Sequence, residues 1–202
     1  MMKRNVIIAV CLVMCVAAAA FAVPQKTLAN LQTAYNGESN ANARYTAFAL
    51  KADEDGYPQV AALFRAAAKA EEIHAKNHAV AIKELGAAPV KNIVKTEVKS
   101  TRENLKTAIA GEVYERDVMY PNFLKEARAE NVPIALRTFN YALHAEAGHA
   151  NLYTAAEKNL QTMTKSGVTY SVCSVCGYTV AMIDFNRCPN CGTPKDKFIA
   201  VS

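Results

Sequence analysis

The sequence predicts an all-α four-helix bundle followed by a small metal-knuckle domain. Three observations lead there. Gly (8) and Pro (7) are sparse among 202 residues, which favours long helices over turn-rich β-structure. Acidic and imidazole side chains recur at three-residue steps within the helical stretches. Four of the six cysteines crowd the last 30 residues. At 51% hydrophobic and 20% charged, the chain is neither disordered nor low-complexity. The net charge of +5 is small and dispersed, with no run of five basic residues, so no nucleic-acid partner is expected.

The first 22 residues read as an address. Lys3 and Arg4 precede an apolar stretch over 6–23, and Ala20-Phe21-Ala22 has the small-x-small form of a cleavage site. Cleavage after Ala22 leaves a net charge of +3 and removes Cys11 and Cys15. The alternative is an uncleaved membrane anchor, since 18 apolar residues just span a bilayer. A lipoprotein reading at Cys15 is weaker, because Met14 is bulky where a small residue is wanted. Either way the body is expected outside the cytoplasm, periplasmic or otherwise exported. The domains expected are a signal peptide over 1–22, a bundle over 23–166 and a knuckle domain over 167–202.

The first helix is expected over 28–54, ended by the turn Asp55-Gly56-Tyr57-Pro58. The second runs over 59–85, with Gly86 as C-cap. Residues 87–100 form a longer connection. Ser100 or Thr101 can cap a third helix reaching 130. Pro133 suits the first turn of a fourth, which continues to about 165. Tyr120-Pro121 should kink the third helix. Short loops make the first pair and the second pair antiparallel neighbours, and the middle connection permits a crossover.

Acid placed among apolar residues at ligand spacing specifies chemistry. The second helix carries Glu71 and His74 three apart, and the fourth carries Glu146 and His149 at the same step. Residues three apart share a helix face. The third helix offers Glu112 and Glu115, and the first offers Glu38. Glu38 precedes Glu71 by 33 residues and Glu112 precedes Glu146 by 34. Two hairpins can thus each set a carboxylate opposite a Glu-x-x-His step, the pattern of a two-metal carboxylate site inside a bundle. Five glutamates without cations would be penalised by desolvation and repulsion. The mixed ligands suit iron or manganese. Tyr45, seven after Glu38, can donate its hydroxyl to a ligand carboxylate. Glu72 points about 100° away from Glu71, toward solvent. His78 is expected in a surface or hydrogen-bonding role, and His144 should point elsewhere. Tyr120 needs the Pro121 kink or a π-bulge to turn inward.

Cys173, Cys176, Cys188 and Cys191 form two Cys-x-x-Cys-Gly knuckles with 11 residues between. Four thiolates give a tetrahedral site for zinc or one iron. So short a segment cannot fold on apolar burial alone, and the metal supplies the missing stability. Tyr170, Tyr178, Phe185 and Phe198 offer a small aromatic core.

Together these pieces resemble the rubrerythrin family. The residues that carry the resemblance are Asn36 to Ser39 with Arg44-Tyr45, Glu71 to His74, Ala110-Gly111-Glu112 with Glu115 and Met119-Tyr120-Pro121, and Glu146 to His149. The Cys-x-x-Cys-Gly-Tyr and Cys-Pro-Asn-Cys-Gly knuckles, with Pro194-Lys195 and Phe198, complete it. The resemblance implies a ferritin-like di-iron bundle fused to a rubredoxin-like domain. It implies that Glu38, Glu71, Glu112, Glu115, Glu146, His74 and His149 ligate two irons, and that the cysteines hold an Fe(Cys)4 centre. One iron is expected to shift between Glu115 and His74 on redox change. The implied activity is reduction of hydrogen peroxide, with electrons entering through the cysteinyl iron, in a head-to-tail homodimer whose cysteine domain serves the partner's site. Export departs from many relatives: the donor must then be a periplasmic carrier, such as a cytochrome. The alternative functions are a ferroxidase that handles iron, and a non-enzymatic metal-binding protein with a structural zinc ribbon.

Overall fold

The computed structural model describes residues 24–202. The signal-peptide reading of residues 1–22 lies outside the described residues. No helix among those described is long and apolar enough to cross a membrane.

Helix α1 spans Gln25–Glu54 and buries Leu31, Ala34, Ala41, Tyr45, Phe48 and Ala52 along one stripe. Helix α2 spans Pro58–Glu84, with Pro58 at its first turn. It buries many alanines, among them Ala61, Ala62, Ala66, Ala67 and Ala70, so the α1 and α2 backbones lie close. Residues 87–100 run extended along α1, held by an amide ladder. Gln32, Asn36 and Asn40 bond the backbone of Ala88 and Val90, Asn92, and Asn92 and Val94 in turn. The spacing explains the fit: four helical residues rise about 6 Å, close to two extended ones.

Ser100 caps helix α3 (Thr101–Tyr114) in a capping box with Glu103. Asp55, from the turn after α1, accepts from the Thr101 N–H and hydroxyl. The third rod does not run as one continuous α-helix. It passes through a π-turn, Glu115–Met119, into α4 (Tyr120–Ala129). The Tyr120 N–H donates to the Glu115 carbonyl, and Pro121, which has no N–H, follows where the ladder is already widened.

Helix α5 spans Pro133–Lys158, ending about seven residues before the expected 165. The Asn159 amide bonds the Ala155 carbonyl, and a 3₁₀ turn, Leu160–Thr162, follows. Leu160 there enters the bundle core. The tail is a three-stranded antiparallel sheet ordered β2-β1-β3, with β1 Tyr170–Cys173, β2 Thr179–Val180 and β3 Phe198–Val201. Tyr178, Phe185 and Phe198 pack together. Tyr170 does not join them: with Val172 it belongs to the buried bundle core that also holds Phe64, Ala67 and Tyr153. The sheet therefore sits on its own chain's bundle. Arg65 also donates to the Ser202 carbonyl, Asn77 to Val175 and Asn190 to Tyr141. The last two bonds set the first cysteine knuckle against α2 and the second against α5.

Candidate metal centre

Four rods deliver six side chains to one buried pocket: Glu38 from α1, Glu71 and His74 from α2, Glu112 from α3, Glu146 and His149 from α5. All are buried. They form two groups, Glu38-Glu71-His74-Glu146 and Glu71-Glu112-Glu146-His149, each with ligand atoms within 4.8 Å of one another. Glu71 and Glu146 belong to both, as bridging carboxylates would. Glu115 belongs to neither. It opens the π-turn, half-buried, with its carboxyl raised by burial and by Glu112 and Glu146, against the charge of Arg44.

The tail domain sets the tautomer of both histidines. His74 Nε2–H donates to the Cys176 carbonyl at 3.0 Å. Thr179 Oγ1 spends its proton on the Gly177 carbonyl at 2.9 Å, so it accepts from His149 Nε2–H at 3.1 Å. Both Nδ1 lone pairs are thereby turned toward carboxylates. His74 Nδ1 lies 2.8 Å from Glu71 Oε2 and 3.1 Å from Glu146 Oε1. His149 Nδ1 lies 2.8, 3.4 and 3.5 Å from oxygens of Glu146, Glu71 and Glu112.

Such a cluster needs cations. Glu38 Oε2, Glu71 Oε1, Glu112 Oε2, both Glu146 oxygens and His149 Nδ1 are buried with no hydrogen-bond partner. Metal bonds of about 2.0–2.2 Å give ligand–ligand edges of about 2.8–3.6 Å, the range seen here. Two divalent ions would offset four carboxylates. Without them, protons take their place. Burial disfavours a charged His74, yet Glu146 and Glu71 raise it to about 10. Burial pushes Glu112 up to about 8 despite the neighbouring His149. Glu71 is drawn down by His149 and His74, against burial. The donor set therefore fits a pair of metal ions.

Two tyrosines orient the ligands. Tyr45 donates to Glu112 Oε1 at 2.6 Å. Tyr120 is turned inward at the end of the π-turn and donates to Glu38 Oε1. His144 is exposed and faces Tyr178, Pro189 and Asn190 of the tail. Glu72 is exposed and pairs with Lys69. His78 is fully buried, not at the surface, and bonds Tyr120 and Thr138. Burial and the charge of His74 lower it to about 3, so it stays neutral. Sequence reasoning passed over Thr138 and Thr179; a lone threonine carries no spacing signal.

The four tail cysteines converge with sulfur atoms within 4.8 Å, and none is in a disulfide. Cys173–Cys191 and Cys176–Cys188 are each 3.6 Å apart. A tetrahedron with metal–sulfur bonds of about 2.3 Å has edges of about 3.8 Å. The Gly177 and Gly192 N–H groups close the knuckles on the Cys173 and Cys188 carbonyls. The neighbouring Cys176 thiol lowers Cys173 to about 5, and burial raises Cys188 to about 11.

Comparison with known proteins supports this geometry. A family model described as Rubrerythrin matches residues 29–157. Rubrerythrin-2 of Clostridium acetobutylicum is 40% identical over 174 residues, covering 84% of this chain and 94% of that protein. Nigerythrin of Nitratidesulfovibrio vulgaris is 38% identical over 175 residues, 86% of each chain. The solved structure of nigerythrin in its fully reduced, all-ferrous state aligns with a TM-score of 0.80 over 86% of each chain, at 38% identity. A bacterioferritin of Desulfovibrio desulfuricans aligns with a TM-score of 0.64 at 23% identity, over 71% of this chain and 84% of that one, a likeness of fold alone.

Proposed function

The chain belongs to the rubrerythrin family, and from that premise we propose that it is an exported peroxidase that reduces hydrogen peroxide to water. Its cofactors are a di-iron carboxylate site in the bundle and a four-cysteine metal site in the tail. Glu38 and His74 would hold one iron and Glu112 and His149 the other, with Glu71 and Glu146 within reach of both. Glu115, next to this set, would be the carboxylate that alternates with His74 as a ligand, as the resemblance implies.

The balanced reaction is H2O2 + 2 H⁺ + 2 e⁻ → 2 H2O. When bound, the iron pair supplies the two electrons to the O–O bond, and the cysteinyl iron restores them singly. The chain's own residues set the conditions. Tyr45 and Tyr120 hold Glu112 and Glu38 by hydrogen bonds, so the carboxylates need not reorganise as charge changes. The cysteine domain covers the histidine side and keeps both Nε2 atoms out of water.

One observation carries the reading: the Cys176 carbonyl accepts the His74 Nε2–H at 3.0 Å. It joins a residue of the thiolate site to one of the carboxylate site by a single hydrogen bond. A ferroxidase has no use for such a port, and a structural zinc ribbon has no use for that placement. In the proposal electrons pass across this contact, in the head-to-tail homodimer that the resemblance implies. A homodimer that exchanges tails would keep the same contact, since only the connection after α5 would cross over.

The test is stopped-flow mixing of anaerobically reduced protein with peroxide. Rapid reoxidation of both chromophores is expected. A native rate no greater than that of Glu112→Ala would overturn the peroxidase reading. About three irons per chain are expected in protein from its native host; zinc in the cysteine site would remove the electron route. Export has its own test, the mass of the mature N-terminus. A chain starting at Val23 is expected, and retention of Met1 in the cytoplasmic fraction overturns export. The donor is proposed to be a periplasmic carrier such as a cytochrome, tested by its reduction of the cysteinyl iron.

A further inference from the structure

A surface cleft of about 280 Å³ lies where α2, α5 and the first cysteine knuckle meet, lined by Asn77, Arg137, Thr138, Tyr141 and Val175. Behind Thr138 a file of polar groups runs inward. Thr138 Oγ1 is 3.0 Å from His78 Nδ1. His78 Nε2 is 3.1 Å from Tyr120 Oη. Tyr120 Oη donates to Glu38 Oε1. Thr138 is 4% exposed, and His78, Tyr120 and Glu38 are fully buried. The file joins the cleft to a carboxylate of the metal pocket without a gap.

With a metal on Glu38, its polarity follows end to end. Glu38, as a ligand carboxylate, only accepts, so Tyr120 gives its hydroxyl proton to Glu38. Tyr120 Oη must then accept from His78 Nε2–H. His78 Nδ1 is left as an acceptor, filled by the Thr138 hydroxyl. Every donor points inward. Phe139 packs on both rings, 5.6 Å from His78 and 5.9 Å from Tyr120, and Phe123 stands edge-on to Tyr120. This apolar sleeve keeps water from short-circuiting the file.

We propose that Thr138, His78 and Tyr120 form a proton path that carries protons from the cleft to Glu38 for peroxide reduction. It rests on the peroxidase reading. In one passage a hydronium ion in the cleft gives a proton to Thr138 Oγ1 as the Thr138 proton passes to His78 Nδ1. The Nε2 proton moves to Tyr120, and the Tyr120 proton to Glu38 Oε1. One proton enters, one arrives, and no electron moves. His78 is left as the opposite tautomer, and the path resets by reversing the Thr138 and Tyr120 hydroxyls and the imidazole ring. None of the three touches substrate in this scheme; they act through Glu38.

Two measurements test it. In ¹⁵N-histidine-labelled protein loaded with zinc, the His78 ring is expected as the neutral Nε2–H tautomer. An Nδ1–H tautomer overturns the path whatever the enzyme does. In the iron-loaded protein, Thr138→Val, a nearly isosteric loss of one hydroxyl, is expected to slow reoxidation by peroxide at least about 10-fold. The solvent deuterium isotope effect should grow, with the peroxide concentration dependence unchanged. His78→Ala should be slowed likewise and recover in added imidazole. A Thr138→Val protein with native rate and isotope effect overturns the proposal. If the native protein itself ignores peroxide, the peroxidase reading fails instead, and the tautomer still decides the direction of the file.

Discussion

The Nε2–H of His74 and the carbonyl of Cys176, 102 positions apart in sequence, form a buried hydrogen bond of 3.0 Å. It fixes which histidine nitrogen is free for metal and brings the thiolate knuckle against the bundle. Gly177, next in sequence, makes this approach possible. A Cβ there would fall 2.3 Å from His74 Nε2, and the residue holds φ at +75°.

Gly177→Ala is therefore expected to separate the two sites. Electron transfer from the reduced cysteinyl iron to the bundle should slow at least about 10-fold, because the added carbon cannot occupy the space of the imidazole. The visible spectrum of the cysteine site should persist. Rapid-mixing spectroscopy at the thiolate band reads both; an unchanged transfer rate would contradict the role given to this contact.

Thr179→Val removes the acceptor of His149 Nε2–H, and with it the preference for the tautomer that frees Nδ1. A drop of about 10–100-fold in bundle metal affinity is expected. Chelator competition measures it. Thr179→Ser keeps the hydroxyl and should restore affinity.

Metal loading should release protons. In the metal-free pocket His74 stands at about 10 and Glu112 at about 8, so both hold protons at pH 7. Calorimetric titration in buffers of differing ionisation enthalpy counts them; a count of zero would contradict the assignment. The stability trend has a definite sign. Both groups bind their proton more tightly folded than unfolded, where they stand near 6.5 and 4.5. Their contribution is complete below about pH 4.5 and is lost as pH rises through about 8 and then 10. Metal-free protein should lose stability over that range, and loaded protein should not show this loss.

Asp55 ties the end of α1 to the start of α3. Lys51 and Thr101 hold its carboxyl down at about 2. With the folded value below the ordinary 3.8, its contribution is present above about pH 4 and lost as pH falls through about 2. Asp55→Ala removes the acceptor of the Thr101 N–H and is expected to cost about 1 kcal/mol, read as a lower Tm near pH 7. At pH 2 the difference from native should largely vanish.

The rods were legible in the sequence because Asp55-Gly56, Gly86 and Asn131-Val132-Pro133 interrupt long apolar stripes. The glutamate–histidine steps were legible because three residues make nearly one helical turn. The end of α5 was not, since the Asn159 amide and the burial of Leu160 stop a helix that local propensity would continue. Tyr170 was assigned to the tail's own aromatic cluster because sequence proximity says nothing of which core a ring enters. His78 follows His74 by one turn, but whether that turn meets solvent depends on Phe139 and Thr138 of α5.

Residue order alone was enough for the four rods, the carboxylate and imidazole types facing one another, and the paired knuckles, because helix pitch and the Cys-x-x-Cys turn are local geometry. Folding in three dimensions settled the rest: which histidine nitrogens face the pocket, how Tyr120 swings inward through the π-turn, and that the cysteine knot rests on the histidine side of the bundle. Those choices are made by hydrogen-bond acceptors and packing partners tens to a hundred residues away, and no spacing within a segment encodes them.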